Sequence, residues 1–480
     1  MTDEGNMNYF SCLPFAQIEN DDLFNLFAPI SDYKIHLNDS IHVSLDELNS
    51  KLDADNLKKG HHLSILHVNL RSLTKNFDNL HQLISSLPVE PNIIAVTETK
   101  LNKSSNLGAI QLDNYTFVYK NYLSFAGGVG LYIDSNINFI NKPDVELFDK
   151  TVESLFVDIE IDDNTKFTIG VIYRHPNNPI KFFTTQFSNT LTKLSSEKKR
   201  CYIVGDFNIN TLMRSQKSIK QFTTMVKSFN YHNVIKYPTR ITNHSSTCID
   251  HMYTNNKNSI QSKFILLESI SDHLPIFGVL KIRYKTKKPK PLFHRNFSKL
   301  DENKLLEETN QKIQILLDNF YRDESKNIHT EFQELNDTLQ QIINKNVPKE
   351  KLSRNKTKFQ LKPWLTTEII KNAKYKNRIY RKLIKCNFKD KELHEKYKRI
   401  RNKLSHDKDA AKQQYYRKRL TTSKNDTKKT WKVINELIGK RKTPMILPEK
   451  LKAENKILQD PQTISNFLNQ YFAEIGKSKN

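Results

Sequence analysis

The chain has four cysteines in 480 residues, Cys12, Cys201, Cys248 and Cys386, and no Cys-x-x-Cys pair among them. That scatter argues against a disulfide framework or a structural zinc site. No stretch approaches the roughly 20 apolar residues that a membrane span needs. The opening MTDEGNMNYF has acidic side chains where a signal peptide carries basic ones, and no apolar segment follows. The expectation is a soluble protein of a reducing compartment, synthesised in the cytoplasm without a signal peptide and with no membrane partner. Acidic residues are in short supply too, but only in one part of the chain.

At this length two or three domains are expected, and charge divides them. Residues 1–60 hold 4 Lys+Arg against 11 Asp+Glu, which reads as an acidic, weakly ordered leader. Residues 61–283 form the candidate globular domain; up to residue 280 the balance is 22 basic to 18 acidic. A Lys/Pro-rich linker at 284–300 leads into a basic helical region, 301–480. From 281 onward 50 basic side chains face 23 acidic ones, and within 351–450 the ratio is 32 to 9. Such an excess repels itself unless a polyanion neutralises it.

Short apolar runs recur in the middle region: LSILHV (63–68), IIAV (93–96), VGLYI (129–133), SLFVDIEI (154–161), FTIGVIY (167–173), CYIVG (201–205) and PIFGVLKI (275–282). Their length and β-branched content predict strands. Helices are predicted over 74–87 and 180–196, with Phe77, Leu80, Leu83 and Ile84 on one face of the first and Phe183, Phe187 and Leu191 on one face of the second. The alternation suggests a mixed sheet layered with helices. Further on, Ile369, Ile370, Ala373, Ile379, Tyr380, Leu383 and Ile384 make one helical stripe, and Leu393, Tyr397, Ile400, Leu404, Ala411 and Tyr415 make another. Trp431, Ile434 and Leu437 share a shorter helix that Gly439 is placed to close. A basic helical hairpin packed through its apolar stripes is the plainest reading of that region.

Polar groups suited to phosphodiester cleavage sit at the ends of the strand runs: Asn69, Glu98, Tyr173, Asp206 with Asn208, Asp250, and Asp272 with His273. Strand ends along one sheet edge would gather them in one rigid cleft. A hard divalent cation takes oxygen ligands, for which Glu98, Asn69 and Asp272 are the candidates. Asp206 can orient or deprotonate water, and Asn208 would point to the same side if the segment stays extended. His273 can donate to phosphate oxygens or act as base if Asp250 holds its other nitrogen, and Tyr173 can hydrogen-bond a phosphate oxygen. Singly, each of these is more often a turn or a solvated loop; their joint occurrence at strand boundaries carries the signal.

The segments HVNLRS, VTETK, GGVGLYI, VIYRHPN, VGDFNIN, STCIDHMYTN and SDHLPIF resemble the endonuclease/exonuclease/phosphatase superfamily, and within it the apurinic-endonuclease-like nuclease of jockey-type non-LTR retrotransposons. The resemblance implies a four-layer α/β sandwich, two facing mixed sheets flanked by helices, followed by an all-α basic connector. It implies Mg²⁺, with Mn²⁺ as the alternative, at Asn69 and Glu98, with Asp272 alongside. It puts Asp206 and Asn208 at the nucleophilic water, Tyr173 at the phosphate, Asp250 against His273, and Thr247 on DNA. It implies a DNA endonuclease that nicks one strand at a target site in the nucleus, with element RNA on the basic connector. Arg71 stands where similar repair enzymes carry Asp, which argues against abasic-site repair. PWLT, YRKLI, TWKVINELIG and NQYFAEIG are similar to the connector that precedes a reverse transcriptase in such elements; that domain is expected to be absent from this chain. The alternatives are a catalytically idle nucleic-acid-binding remnant and a phosphodiesterase for lipid head groups. Loops 105–125 and 210–225 are the expected determinants of target preference.

Overall fold

The computed structural model describes residues 41–54, 62–121, 127–162, 165–284, 293–297, 300–322, 327–351, 363–438, 451–453 and 456–477. Most of the leader, most of the 284–300 linker, and Gly439 lie outside the described residues. Two compact units are present, 1–105 with 110–422 and 106–109 with 423–480, and each is taken by itself.

Two sheets dominate the first unit. One has seven strands in the order β1 (His42–Val43), β14 (Ile260–Leu266), β15 (Ile276–Arg283), β2 (His62–Asn69), β3 (Ile93–Thr97), β5 (Val129–Asp134) and β4 (Tyr115–Lys120). The other has six, in the order β10 (His232–Asn233), β13 (Asp250–Thr254), β9 (Arg200–Asp206), β8 (Thr165–Arg174), β7 (Val152–Asp162) and β6 (Asn138–Asn141). Both mix parallel and antiparallel pairs: β2 runs parallel to β3 and β8 to β9, while the other pairings within the six-stranded sheet are antiparallel.

Period-two alternation stacks the sheets face to face. Leu63 and Ile65 of β2, Phe167, Ile169 and Val171 of β8, Tyr202 and Val204 of β9, and Met252 of β13 belong to one buried cluster between the sheets. Their neighbours point outward. Leu66 and Val68 pack under α1 (Leu45–Ala54) and α2 (Leu73–Ser86). Ile172, Cys201 and Ile203 pack under α3 (Ile180–Ser196) and α4 (Lys217–Ser228). Helix, sheet, sheet and helix make four layers.

Three local readings change. Residues 41–54, assigned to the acidic leader from charge, supply β1 and α1, with Val43, Leu48 and Leu52 buried. The apolar spacing outweighs the local acidity, because the acids Asp46 and Glu47 fall in the first turn of α1, where the helix dipole favours them. The stretch 105–125 is not all loop, since β4 crosses it, and α4 occupies the end of 210–225.

Beyond β15 the first unit is helical apart from a short pairing of Phe293–Arg295 (β16) with Lys349–Lys351 (β17), which flanks α5 (Glu302–Arg322) and α6 (Ile328–Asn346). Helices α7 (Thr367–Lys385) and α8 (Lys391–Thr422) form a hairpin. Ile379, Tyr380, Leu383, Ile384 and Tyr397 join the cluster between the sheets, so the hairpin is docked onto the sandwich. Polar contacts reinforce this. Buried Lys376 donates to the Ser269 carbonyl, Tyr397 shares a hydrogen bond with the Ser269 hydroxyl, and Lys408 Nζ reaches Asn79 Oδ1 at 2.6 Å. Tyr416 rather than Tyr415 is the buried ring near the end of α8.

In the second unit, Asp426 caps α9 (Thr427–Leu437), accepting from Lys429 N at 2.9 Å. Trp431, Ile434 and Leu437 lie on this helix as expected; Val433 is its buried residue, whereas Trp431 and Leu437 are exposed. A short pair, β18 (Leu451–Ala453) and β19 (Lys456–Leu458), precedes α10 (Pro461–Lys477). No described helix is long and apolar enough to cross a membrane.

Candidate active site

The alternation that builds the core also aims the polar groups. In β2 the inward series Leu63, Ile65 continues as His67 and Asn69; in β9 Tyr202, Val204 continues as Asp206; in β8 the series ends at Tyr173; and Asp250 lies two residues before Met252 on β13. The cross-strand register then brings them level, with Asp206 opposite Tyr173 on one side and Asp250 on the other. The groups come from the ends of strands in both sheets, facing across the sandwich, rather than from one sheet edge.

Glu98 departs from the parity. Directly after β3 the backbone turns left-handed there, with φ 50°. Arg71, Lys100 and Asn208 are left-handed as well, at φ 54°, 52° and 49°, so uncommon backbone recurs in the turns around the site. Asn208 is therefore not on an extended segment. Its N–H donates to Asp206 Oδ1 at 3.0 Å and its Nδ2 to the Arg174 carbonyl at 2.7 Å, an Asx-type turn that an Asn tolerates. The side chain buttresses the turn instead of sharing a face with Asp206.

At the centre, the Asn69 amide nitrogen donates to Glu98 Oε1 and to Asp206 Oδ2, both at 2.9 Å. His273 Nδ1 pairs with Asp250 Oδ2 at 2.9 Å and lies 4.0 Å from Asp206 Oδ2. Thr239 Oγ1 donates to the same Asp250 oxygen at 2.7 Å, and His67 Nδ1 stands 3.9 Å from the other. Among the described residues His273 Nε2 has no hydrogen-bond partner. Tyr173 is buried, and its phenol is held above its ordinary range by burial and by Glu98, Asp206 and Glu153, so it remains a neutral donor.

Two neighbouring carboxyls differ. Burial pushes Asp206 up, and Asp250 and Glu98 push the same way, to about 8. Burial would raise Asp250 too, but the His273 charge and hydrogen bond, with His67 and Thr239, hold it below the usual carboxylate range. Burial alone would depress His273; Asp250, Asp206 and Asp272 instead raise it to about 10. The imidazole is thus cationic at neutral pH.

Asp272 does not join this group. Its oxygens are taken by Arg240 Nε at 2.9 Å and Arg71 Nη1 at 3.4 Å, and against burial His273, Arg240 and Arg71 hold it down at about 2. Thr247 is fully buried in β12 (Ser246–Thr247), paired to β11 (Arg240–Ile241), and its hydroxyl has no partner; it presents no side chain to a ligand on the surface.

Several participants escaped the sequence reading. His67 was available from parity, two residues before Asn69. Glu153 faces Tyr173 in register, is fully buried, and accepts from the Gly128 N–H and lies 3.5 Å from His175 Nε2. Thr239 and Arg240 carry no local signature. The segment that bears Asp272 and His273 is tied inward by Ser271 Oγ, which donates to the Asn69 carbonyl at 2.7 Å, and outward by Glu268 and Ser269 on the α7–α8 hairpin.

The donor set fits a hard divalent cation. Ligand atoms of Glu98, Asp206 and His273 lie within 4.8 Å of one another, but a protonated imidazole with Nδ1 on Asp250 is no metal donor. That leaves two carboxylates joined through a single neutral amide, and the raised Asp206 carboxyl reports a negative charge that a cation would relieve.

Residues 167–277 match the model of a family described as "Endonuclease-reverse transcriptase". That segment runs from β8 to β15 and so lies within the two-sheet domain. No curated protein matches the chain. Among solved structures, the chain is similar to the endonuclease domain of TRAS1, a telomere-specific non-LTR retrotransposon, with 14% identity over 46% of this chain and 99% of that one and a TM-score of 0.37. It is also similar to the APE2 catalytic domain of Xenopus laevis, with 15% identity, 47% and 94% coverage, and a TM-score of 0.37. A third is the AP endonuclease LMAP of Leishmania major, with 12% identity, 55% and 98% coverage, and a TM-score of 0.40.

Proposed function

We propose that the chain is a divalent-metal-dependent DNA endonuclease that hydrolyses one phosphodiester of a duplex and leaves a single-strand nick. The observation that carries the reading is the double hydrogen bond of Asn69 to Glu98 and Asp206, set beside the His273–Asp250 pair. Glu98, with the Asn69 amide beside it, would hold Mg²⁺ or Mn²⁺, which when bound would polarise a phosphoryl oxygen and offset charge in the transition state. With a cation held beside it, the raised Asp206 carboxyl would return to the carboxylate form, and Asp206 would then orient a water and take its proton. Cationic His273, fixed through Nδ1 by Asp250, donates from Nε2 to a phosphoryl oxygen as negative charge develops. The Tyr173 phenol donates to the same phosphate. Arg71 and Arg240 keep Asp272 ionised and add positive charge at the rim.

The family description and the absence of an acid at position 71 favour target-site nicking in the nucleus during retrotransposition over abasic-site repair. The purified full-length chain should nick supercoiled plasmid with Mg²⁺ and stop on chelation. Asp206→Ala and His273→Ala should each lower the rate by about a thousandfold or more. Wild type that fails to nick, or variants that nick equally well, would sink the reading.

A further inference from the structure

A second charged surface lies on the flank of the sandwich, away from the cleft. A groove of about 1150 Å³ runs from the 211–215 turn, which follows the site loop, to the start of β14. Its lining comes from separate elements. Lys220 and Lys227 project from α4, Lys51 from α1, Lys236 from the turn after β10, and Lys257 and Lys263 from the entry and body of β14; Arg214 stands at the cleft end.

Among the described residues no Asp or Glu lines the groove, and none of these cations makes an ion pair or side-chain hydrogen bond. Elsewhere in the sandwich, several lysines are paired. On the opposite edge Lys142, Lys166 and Lys199 are paired with Asp158, Glu160 and Glu197. The groove cations instead act on one another: Lys263 is lowered by burial and by Lys236, and His232 by burial and then by Lys257, Lys227 and Lys236. Convergent, unpaired positive charge in a concave surface has an electrostatic cost that an anionic ligand removes.

The lining also limits which anion fits. Tyr231, Tyr253 and Phe264 contribute to the walls but are buried, so no phenyl or phenol ring is presented for base stacking, the usual means of holding single strands, and His232 is the one half-exposed ring of the lining. Lysines, as flexible point charges, suit phosphates without a fixed orientation.

We infer that this groove binds the phosphate backbone of a nucleic-acid duplex, independently of base sequence and outside the cleft. It rests on the nuclease reading only in taking nucleic acid as the partner. Arg214 and Thr211 connect it to the site loop, where the Thr211 N–H donates to the Cys248 carbonyl at 3.2 Å, so duplex flanking the cleaved bond can follow the flank from that end.

The test uses the full-length chain without divalent cations, a fluorescent 40-base-pair DNA duplex, and parallel arms with RNA duplex and single-stranded DNA of equal length. Each lysine–phosphate contact contributes about 0.9 to the slope of log affinity against log salt. Lys236→Gln with Lys263→Gln should therefore flatten the duplex slope by about 2, while the Lys→Arg pair keeps it. Nicking at saturating plasmid should be unchanged in both. An unchanged duplex slope in the Gln pair, or a change confined to the single-stranded arm, overturns the inference. Loss in both duplex arms identifies the shared backbone as the ligand, and loss with DNA alone narrows it to B-form duplex. Binding without nicking by the wild type would count against the nuclease reading only.

Discussion

The cleft end of the sandwich and its flank groove manage charge in opposite ways. In the cleft, Asp206, Asp250 and His273 are all buried; Asp250 and His273 answer each other at hydrogen-bond distance, and Asp206 is held in register between Tyr173 and Asp250. In the groove the cations are largely exposed and are answered by nothing in the described chain. A preorganised buried network suits chemistry, where small displacements are costly. Loose surface lysines suit sequence-independent attraction, where they are not. On the proposed reading, the contrast teaches that charge complementarity belongs where a bond is broken and uncompensated charge where a polyanion is held.

Each region can be perturbed without the other. The largest effect belongs to Asp206→Ala, which should abolish nicking to within about a thousandth of wild type while leaving the salt slope of duplex binding intact; a changed slope would merge the two regions. Next comes Gly205→Ala. At φ 151°, with β9 pressed against β8, a Cβ would drive into the Ile172 carbonyl oxygen. A loss of about 3 kcal/mol in urea unfolding is expected, and a near-neutral result would mean that the strand before Asp206 is not held as described.

Asp250→Asn should keep the geometry and remove the charge that raises His273. Nicking should fall on the order of a hundredfold, and its pH profile should move. Wild-type His273 stays protonated until about pH 10, whereas the variant should lose activity as pH rises past the ordinary histidine value of about 6.5. An unshifted profile would count against His273 as the cationic donor.

The smallest effect lies in the patch where the α7–α8 hairpin meets the loop leading to His273. Burial lifts Glu268 to about 7, against Lys376 and Arg381. A raised folded value contributes stability that is complete below the unfolded value, about 4.5, and is lost as pH rises through about 7. Glu268→Gln has no such loss, so its urea midpoint should gain on wild type between pH 5 and pH 8. Equal gaps at both ends of that range would remove the argument.

Much of this was legible in one dimension. The seven runs read as strands are strands, and the two helices of the sandwich read from spacing are helices, because apolar periodicity reports directly which face is buried. Asn69, Tyr173, Asp206 and His273 announced themselves by polar chemistry at strand ends. Asn208 and Thr247 show the limit: the left-handed turn at the one and the complete burial of the other could not be read from residue type.

By itself, then, the sequence determined the strands and helices of the sandwich, the inward parity of the strands, and the regional charge. Tertiary structure decided what could be known only across distance. It determined that Asp272 is claimed by Arg71 and Arg240, that Asp206 and Asp250 diverge because one neighbours carboxylates and the other an imidazolium, and that residues 41–54 belong to the sheet. It also determined that lysines from α1, α4 and β14 share one groove. The physical reason is range: burial periodicity is encoded by neighbours along the chain, while a charge takes its character from whatever lies within a few ångströms in space.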